Sequence, residues 1–136
     1  MTYEVLIVDD HPLFRAALKG AVAEACANCE FFEAGSAAGL FDALEQHPRA
    51  DLLLLDLNLP GDHGLGVLEQ LRSSRPELPV IVISARDDLR TVRQALDLGA
   101  QGFISKSADA GTIGRNVSSV LRGECVPAGL GELRRR

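Results

Sequence analysis

The stretch Val5-Leu6-Ile7-Val8-Asp9-Asp10-His11-Pro12-Leu13-Phe14 decides the fold. Its unbroken apolar run suits a strand buried on both faces of a parallel sheet. Two carboxylates end the run. Pro12 then supplies the fixed φ and the missing N–H that a first helical position tolerates. From there Leu13, Phe14, Ala17, Leu18, Ala21 and Val22 recur at helical spacing. A buried strand, an acidic turn and an amphipathic helix thus follow one another directly.

The same unit recurs along the chain. Glu30-Phe31-Phe32-Glu33-Ala34, Leu52-Leu53-Leu54-Leu55, Val80-Ile81-Val82-Ile83 and Gly102-Phe103-Ile104 read as the remaining strands. Leu40, Phe41 and Leu44 mark a second helix, and Leu65, Leu68 and Leu71 a third. Leu89, Val92 and Leu96 mark a fourth, closed by Gly99. Ile113, Val117, Val120 and Leu121 mark the last, ending near Gly123, although Gly111 and Gly114 are poor helix formers inside it. Five βα units predict an α/β fold, a flavodoxin-like doubly wound (βα)5 three-layer sandwich with parallel sheet order 2-1-3-4-5. One domain is expected over residues 1–123. Residues 124–136 read as the start of an interdomain linker or a C-terminal tail, because periodicity is lost from Pro127 onward.

Composition narrows the function classes. The 136 residues carry 14 Lys plus Arg against 19 Asp plus Glu, a net charge of -5. A phosphate backbone needs a basic face, so this segment is not expected to bind nucleic acid by itself. No apolar stretch approaches the roughly 18 residues of a membrane helix. The N-terminus shows neither a basic leader nor a small-residue cleavage site, and a cytoplasmic location is expected. The three cysteines are an odd count that makes no disulfide framework. Cys26 and Cys29 form a C-x-x-C without a second ligand pair, and read as small side chains at a helix end and a strand start.

In an open α/β sheet, ligands bind beyond the carboxyl ends of the strands at the switch point, here between the first and third strands. The residues expected there are Asp9 and Asp10 after strand 1, Asp56 after strand 3, Ser84 after strand 4 and Lys106 after strand 5. Three converging carboxylates repel one another, so some protonate or a cation sits among them. A hard divalent ion with oxygen ligands suits the set, and Mg²⁺ leaves positions open for a phosphoryl group. Lys106 adds a charge and Ser84 a hydrogen-bond donor. Singly, each residue has a plainer reading. Asp9 or Asp10 would cap the first helix, Asp56 would form a turn before Pro60-Gly61, Ser84 would cap the fourth helix, and Lys106 would be a solvated surface lysine.

Those residues also carry a family resemblance. Val8-Asp9-Asp10-His11-Pro12-Leu13-Phe14-Arg15, Asp56-Leu57-Asn58-Leu59-Pro60-Gly61 with Gly64, Ser84-Ala85 and Gly102-Phe103-Ile104-Ser105-Lys106 resemble two-component response-regulator receiver domains of the CheY-like kind. The Asp-Asp-His-Pro-Leu-Phe-Arg opening is similar to the NarL/FixJ subgroup, whose full-length members usually carry a LuxR-type helix-turn-helix. The resemblance covers about residues 4 to 122. It implies that Asp56 accepts a phosphoryl group from a histidine kinase's phosphohistidine, so that residues 1–123 form a receiver. It implies Mg²⁺ held by Asp9, Asp10, Asp56 and the Asn58 backbone carbonyl, with Lys106 pairing the acylphosphate. Ser84 matches the switch hydroxyl and Phe103 the switch aromatic, a position where a core phenylalanine fits equally well.

Further expectations follow from the same resemblance. The chain is a signalling domain rather than a turnover enzyme, and it forms a homodimer on phosphorylation. DNA is reached only through an output domain that this sequence lacks, so the chain is expected to be the front of a longer transcription regulator. The alternative is a stand-alone receiver acting through protein–protein contacts. Phe103 lacks a tyrosine hydroxyl, and Ser107 replaces a proline that often follows the lysine. Asn58 and Arg86 occupy positions that tune phosphoryl lifetime in the family. A dehalogenase-like phosphatase would want its two aspartates two residues apart, and an FMN carrier would want a Ser/Thr/Gly phosphate loop where Asp9-Asp10 stand.

Overall fold

A computed structural model describes residues 2–61 and 63–123. Five strands, β1 (Tyr3–Val8), β2 (Cys29–Ala34), β3 (Leu52–Asp56), β4 (Val80–Ser84) and β5 (Gly102–Ser105), alternate with five helices. The helices are α1 (Pro12–Ala25), α2 (Ala37–Gln46), α3 (Gly64–Ser74), α4 (Leu89–Asp97) and α5 (Ala110–Leu121). All pairings are parallel, in the order β2-β1-β3-β4-β5. The flavodoxin-like architecture expected from the apolar runs is the one observed. The strands depart from the expected runs only at their ends, each running one or two residues longer; β3 and β4 thereby include Asp56 and Ser84 themselves.

Alternation along the strands splits the core into two layers. Leu6, Val8, Leu53, Leu55, Val82 and Phe103 face α2, α3 and α4. Val5, Ile7, Leu52, Leu54, Ile83 and Ile104 face α1 and α5. Every residue of β3 and β4 is buried, which is why their sequences show no polar face. β2 is only partly buried, as an edge strand should be.

Three details correct the sequence reading. Leu13 is 88% exposed and Ala17 also faces solvent, so the inward stripe of α1 is Phe14, Leu18, Ala21 and Val22. Ser84 does not cap α4; Asp88 does, accepting from the Thr91 N–H. Neither Asp9 nor Asp10 caps α1, whose N-cap is His11 without a side-chain hydrogen bond. The glycines of α5 also acquire a reason. A Cβ on Gly114 would lie 2.8 Å from the Ala21 carbonyl oxygen and 2.9 Å from Ala25 Cβ, so this glycine lets α5 lie close on α1. No cis peptide bond occurs among the described residues, and Lys106–Ser107 is trans. The expected linker, residues 124–136, lies outside the described residues.

Candidate functional site

The first and third strands are neighbours in register, Val8 beside Leu55, so the residues that follow them meet at one sheet edge. Each strand ends in an aspartate that its own loop orients. Asp9 Oδ1 accepts from the His11 N–H at 2.7 Å, and Asp56 Oδ1 accepts from the Asn58 N–H at 2.9 Å. Asp56 therefore does form the turn that its sequence context suggests. That turn aims its second oxygen, Oδ2, across the cleft.

Lys106 closes the cleft from the other side. Its backbone N–H donates to the Ser84 carbonyl at 2.9 Å, which holds the end of β5 beside β4. Its Nζ reaches 2.9 Å from Asp9 Oδ2 and 3.0 Å from Asp56 Oδ2. Both aspartates are 1% exposed. One ammonium thus bridges two buried carboxylates, while Asp10 stands half-buried beside them.

The electrostatics follow from this geometry. Burial tends to raise the Asp9 carboxyl, but the Lys106 hydrogen bond and charge, with the His11 N–H, hold it below the usual carboxylate range. Asp56 goes the other way. Its burial, reinforced by the charge of Asp9, outweighs Asn58 and Lys106 and leaves its carboxyl raised. Burial opposes the charge on Lys106, yet the two carboxylates win and raise its ammonium above the ordinary value. The single lysine does not fully compensate the acidic set.

Cation fit can be judged on the donor set. Ligand atoms of Asp9, Asp10, His11 and Asp56 all lie within 4.8 Å of one another. Asp9 Oδ2 and Asp10 Oδ1 are buried and lack a hydrogen bond of sound geometry, although Lys106 and His11 lie at ion-pair distance from them. Buried carboxylate oxygens this close together, with a single lysine shared between two of the carboxylates, suit a hard cation with oxygen ligands. The residues present fit a divalent metal.

Of the other expected residues, Ser84 is 2% exposed and lies beside the cleft, its Oγ accepting from the Arg86 N–H at 3.0 Å. Asn58, Ser84 and Arg86 line an adjoining cavity of about 300 Å³ with Leu57, His63 and Gly64. Phe103 packs in the core on the α2–α3–α4 side of the sheet, beside Val82 and so two residues short of the level of Ser84. Asp9, Asp10, Asp56 and Lys106 are thus brought together directly, Ser84 stands at the margin, and Phe103 is behind.

Three participants escaped the sequence reading although they stand in the motif it quoted. His11 Nδ1 lies 3.1 Å from Oδ1 of both Asp9 and Asp10. Phe14 places its ring 4.6 Å beneath Lys106 Nζ, a cation–π contact that steadies the lysine from α1. Arg15 donates to the Asp9 backbone carbonyl and, at 2.9 Å, to Glu33 Oε1. Only the helical spacing that puts Phe14 on the inward face hinted at any of them.

A flavodoxin-like sheet with a lysine-bridged acidic cleft at its switch point defines the CheY-like class of signalling domain. The chain belongs to the response regulator receiver domain family, whose model matches residues 5–118. Among curated relatives it is 40% identical over 121 residues to the glycerol metabolism activator of Pseudomonas putida, covering 89% of this chain and 55% of that protein. It is 31% identical over 122 residues to the DNA-binding transcriptional activator EvgA of Escherichia coli K12, covering 88% of this chain and 58% of that one. The chain therefore spans a little over half the length of these relatives. The solved receiver domain of NarL from Mycobacterium tuberculosis superposes with a TM-score of 0.79 at 32% identity, covering 90% of this chain and 98% of that one.

Proposed function

We propose that this receiver domain accepts a phosphoryl group on Asp56 from the phosphohistidine of a histidine kinase. The observation that carries the reading is Lys106 Nζ bridging Asp9 Oδ2 at 2.9 Å and Asp56 Oδ2 at 3.0 Å. An Asp56 oxygen would attack phosphorus in line as the P–N bond to the donor imidazole breaks, and the imidazole leaves with the bonding pair. Asn58 N–H fixes the carboxylate's orientation through its other oxygen. Lys106 is already in place to pair with a phosphoryl oxygen once a bulkier anion occupies the cleft.

Asp9, Asp10, Asp56 and the Asn58 carbonyl would hold Mg²⁺. Bound there, the ion would neutralise charge on the phosphoryl oxygens. Ser84 gives up only one backbone N–H, from Arg86, if its hydroxyl turns toward the phosphoryl group. Its movement would leave room for Phe103 and alter the surface of α4, β5 and α5. Reading the domain as a signalling device rather than a turnover enzyme follows from the same chemistry, in which the nucleophile itself stores the phosphoryl group. Residues 1–123 act as the receiver unit, with 124–136 leading toward a LuxR-type output domain that binds DNA. Phosphorylation would favour a homodimer, and the setting is cytoplasmic. A stand-alone receiver working by protein contact is the alternative.

Incubation with acetyl phosphate and Mg²⁺ tests the chemistry. The wild type should gain one phosphoryl group by intact mass, and Asp56→Asn none. Undiminished labelling of Asp56→Asn would end this reading.

A further inference from the structure

We propose that Cys26 and Cys29 form an oxidisable dithiol, a second modification site that thiol–disulfide exchange closes to an intramolecular disulfide. The pair stands at the opposite end of the sheet from the acidic cleft. Cys26 is the C-cap of α1, its N–H donating to the Val22 carbonyl at 2.8 Å. Cys29 opens β2 in register with Tyr3, whose N–H donates to Asn28 O at 2.7 Å. Both ends of this short turn are therefore fixed by the backbone, one by a helix and one by the sheet.

That framework brings the two sulfurs together. The Cys29 thiol donates to Cys26 Sγ at 3.2 Å. A disulfide bond is about 2.0 Å, so closure needs only a small further approach, within reach of side-chain rotation. Both thiols are partly exposed, which lets a small disulfide reach them. The donor set does not favour a metal here. Among the described residues the one group of three or more metal-competent side chains is the Asp9 cluster. Two sulfurs without further ligands are suited to redox exchange instead.

The order of attack follows from the surroundings. Burial, the hydrogen bond to Cys26 and the negative charge of Cys26 and Asp51 push the Cys29 thiol up to about 12. The Cys29 hydrogen is engaged as the donor to Cys26 Sγ, which leaves the Cys26 sulfur as the first to attack. Its thiolate displaces one half of a glutathione disulfide, giving a mixed disulfide and one glutathione thiolate. Cys29 then loses its proton and attacks Cys26 Sγ, expelling the second glutathione. Two electrons pass from the protein dithiol to glutathione disulfide, and the two thiol protons end on the two glutathiones. Closure ties the end of α1 to β2, one residue beyond Ala25, which packs at the Gly114 seam with α5.

The third cysteine, Cys125, lies outside the described residues, so the test uses the full chain carrying Cys125→Ser. The protein is equilibrated in mixtures of reduced and oxidised glutathione, quenched in acid, alkylated and weighed intact. Expected is a monomer that loses two hydrogens and its alkylation sites as glutathione disulfide rises, and regains both on return to reduced glutathione. The adduct trapped at short times should map to Cys26. Cys29→Ser should instead accumulate a stable glutathione adduct. Thiols that stay free throughout, or two independent adducts on the unaltered pair, would overturn the proposal.

Discussion

Replacing Gly64 with alanine should damage both the fold and the cleft. Gly64 opens α3, and a Cβ there would lie 2.1 Å from the Leu57 carbonyl oxygen and 2.5 Å from Leu57 Cα. That is more than an ångström short of ordinary contact, and the obstacle is backbone rather than a flexible side-chain tip. Overpacking costs about 1–3 kcal/mol, and an unyielding backbone puts this site near the upper value. Alanine's better helix propensity returns about 1 kcal/mol at most. The expected net loss is about 2 kcal/mol, or a fall in Tm of roughly 6–10 °C for a domain of this size. Leu57 follows Asp56 directly, so relief of the clash displaces the carboxylate, and stabilisation by added Mg²⁺ should shrink. Thermal melts of wild type and Gly64→Ala, each with and without Mg²⁺, make the measurement. Gly20→Ala is the control: nothing lies within 4 Å of its Cβ, and it should gain about 1 kcal/mol. A Gly64→Ala protein as stable as wild type, with an equal Mg²⁺ response, would refute the reasoning.

Lys106→Met leaves two buried carboxylates without their shared cation, and should lower stability in urea by about 3 kcal/mol at neutral pH; a loss under about 1 kcal/mol would contradict the pairing. Asp56→Asn removes a carboxyl that burial raises, so without metal this variant should melt higher than wild type, and a lower Tm would count against that environment. The pH profile follows the same signs. Asp56, raised when folded, favours the fold increasingly as pH falls through its folded value from above; Asp9, lowered when folded, contributes stability above the ordinary carboxylate range that is lost as pH falls below it. Denaturation between about pH 6 and 3 should therefore show Asp56→Asn losing its advantage on acidification. Mg²⁺ at a hundredfold excess over its Kd should stabilise wild type by about 2.7 kcal/mol and Asp9→Asn much less, read as shifts in Tm.

Fold and cleft were legible in the sequence to different depths. Val5–Val8, Leu52–Leu55 and Val80–Ile83 announce buried parallel strands because both of their faces are covered, and no polar residue interrupts them. Once the strand order follows, Asp9, Asp56 and Lys106 fall at one end of the sheet. Side-chain direction is harder. Helical spacing assigns Leu13 and Phe14 to one stripe, yet a single step around α1 puts Leu13 in solvent and Phe14 beneath Lys106. Gly114 looks like a helix weakness in sequence and Gly64 only like a member of a motif, because what they make room for, Ala21 and Leu57, lies elsewhere in the chain. The bridge by Lys106 joins residues 50 apart in sequence, and its sharing between two carboxylates is visible only in three dimensions.

The central claim is that Asp56, among three clustered aspartates, carries the phosphoryl group. Acylphosphates are reduced by borohydride, so the domain phosphorylated with Mg²⁺ and acetyl phosphate can be trapped with a labelled reductant, digested and mapped by mass spectrometry. The account predicts label at position 56 alone, abolished when Mg²⁺ is chelated beforehand. Label at Asp9 or Asp10 with position 56 unmodified would contradict it.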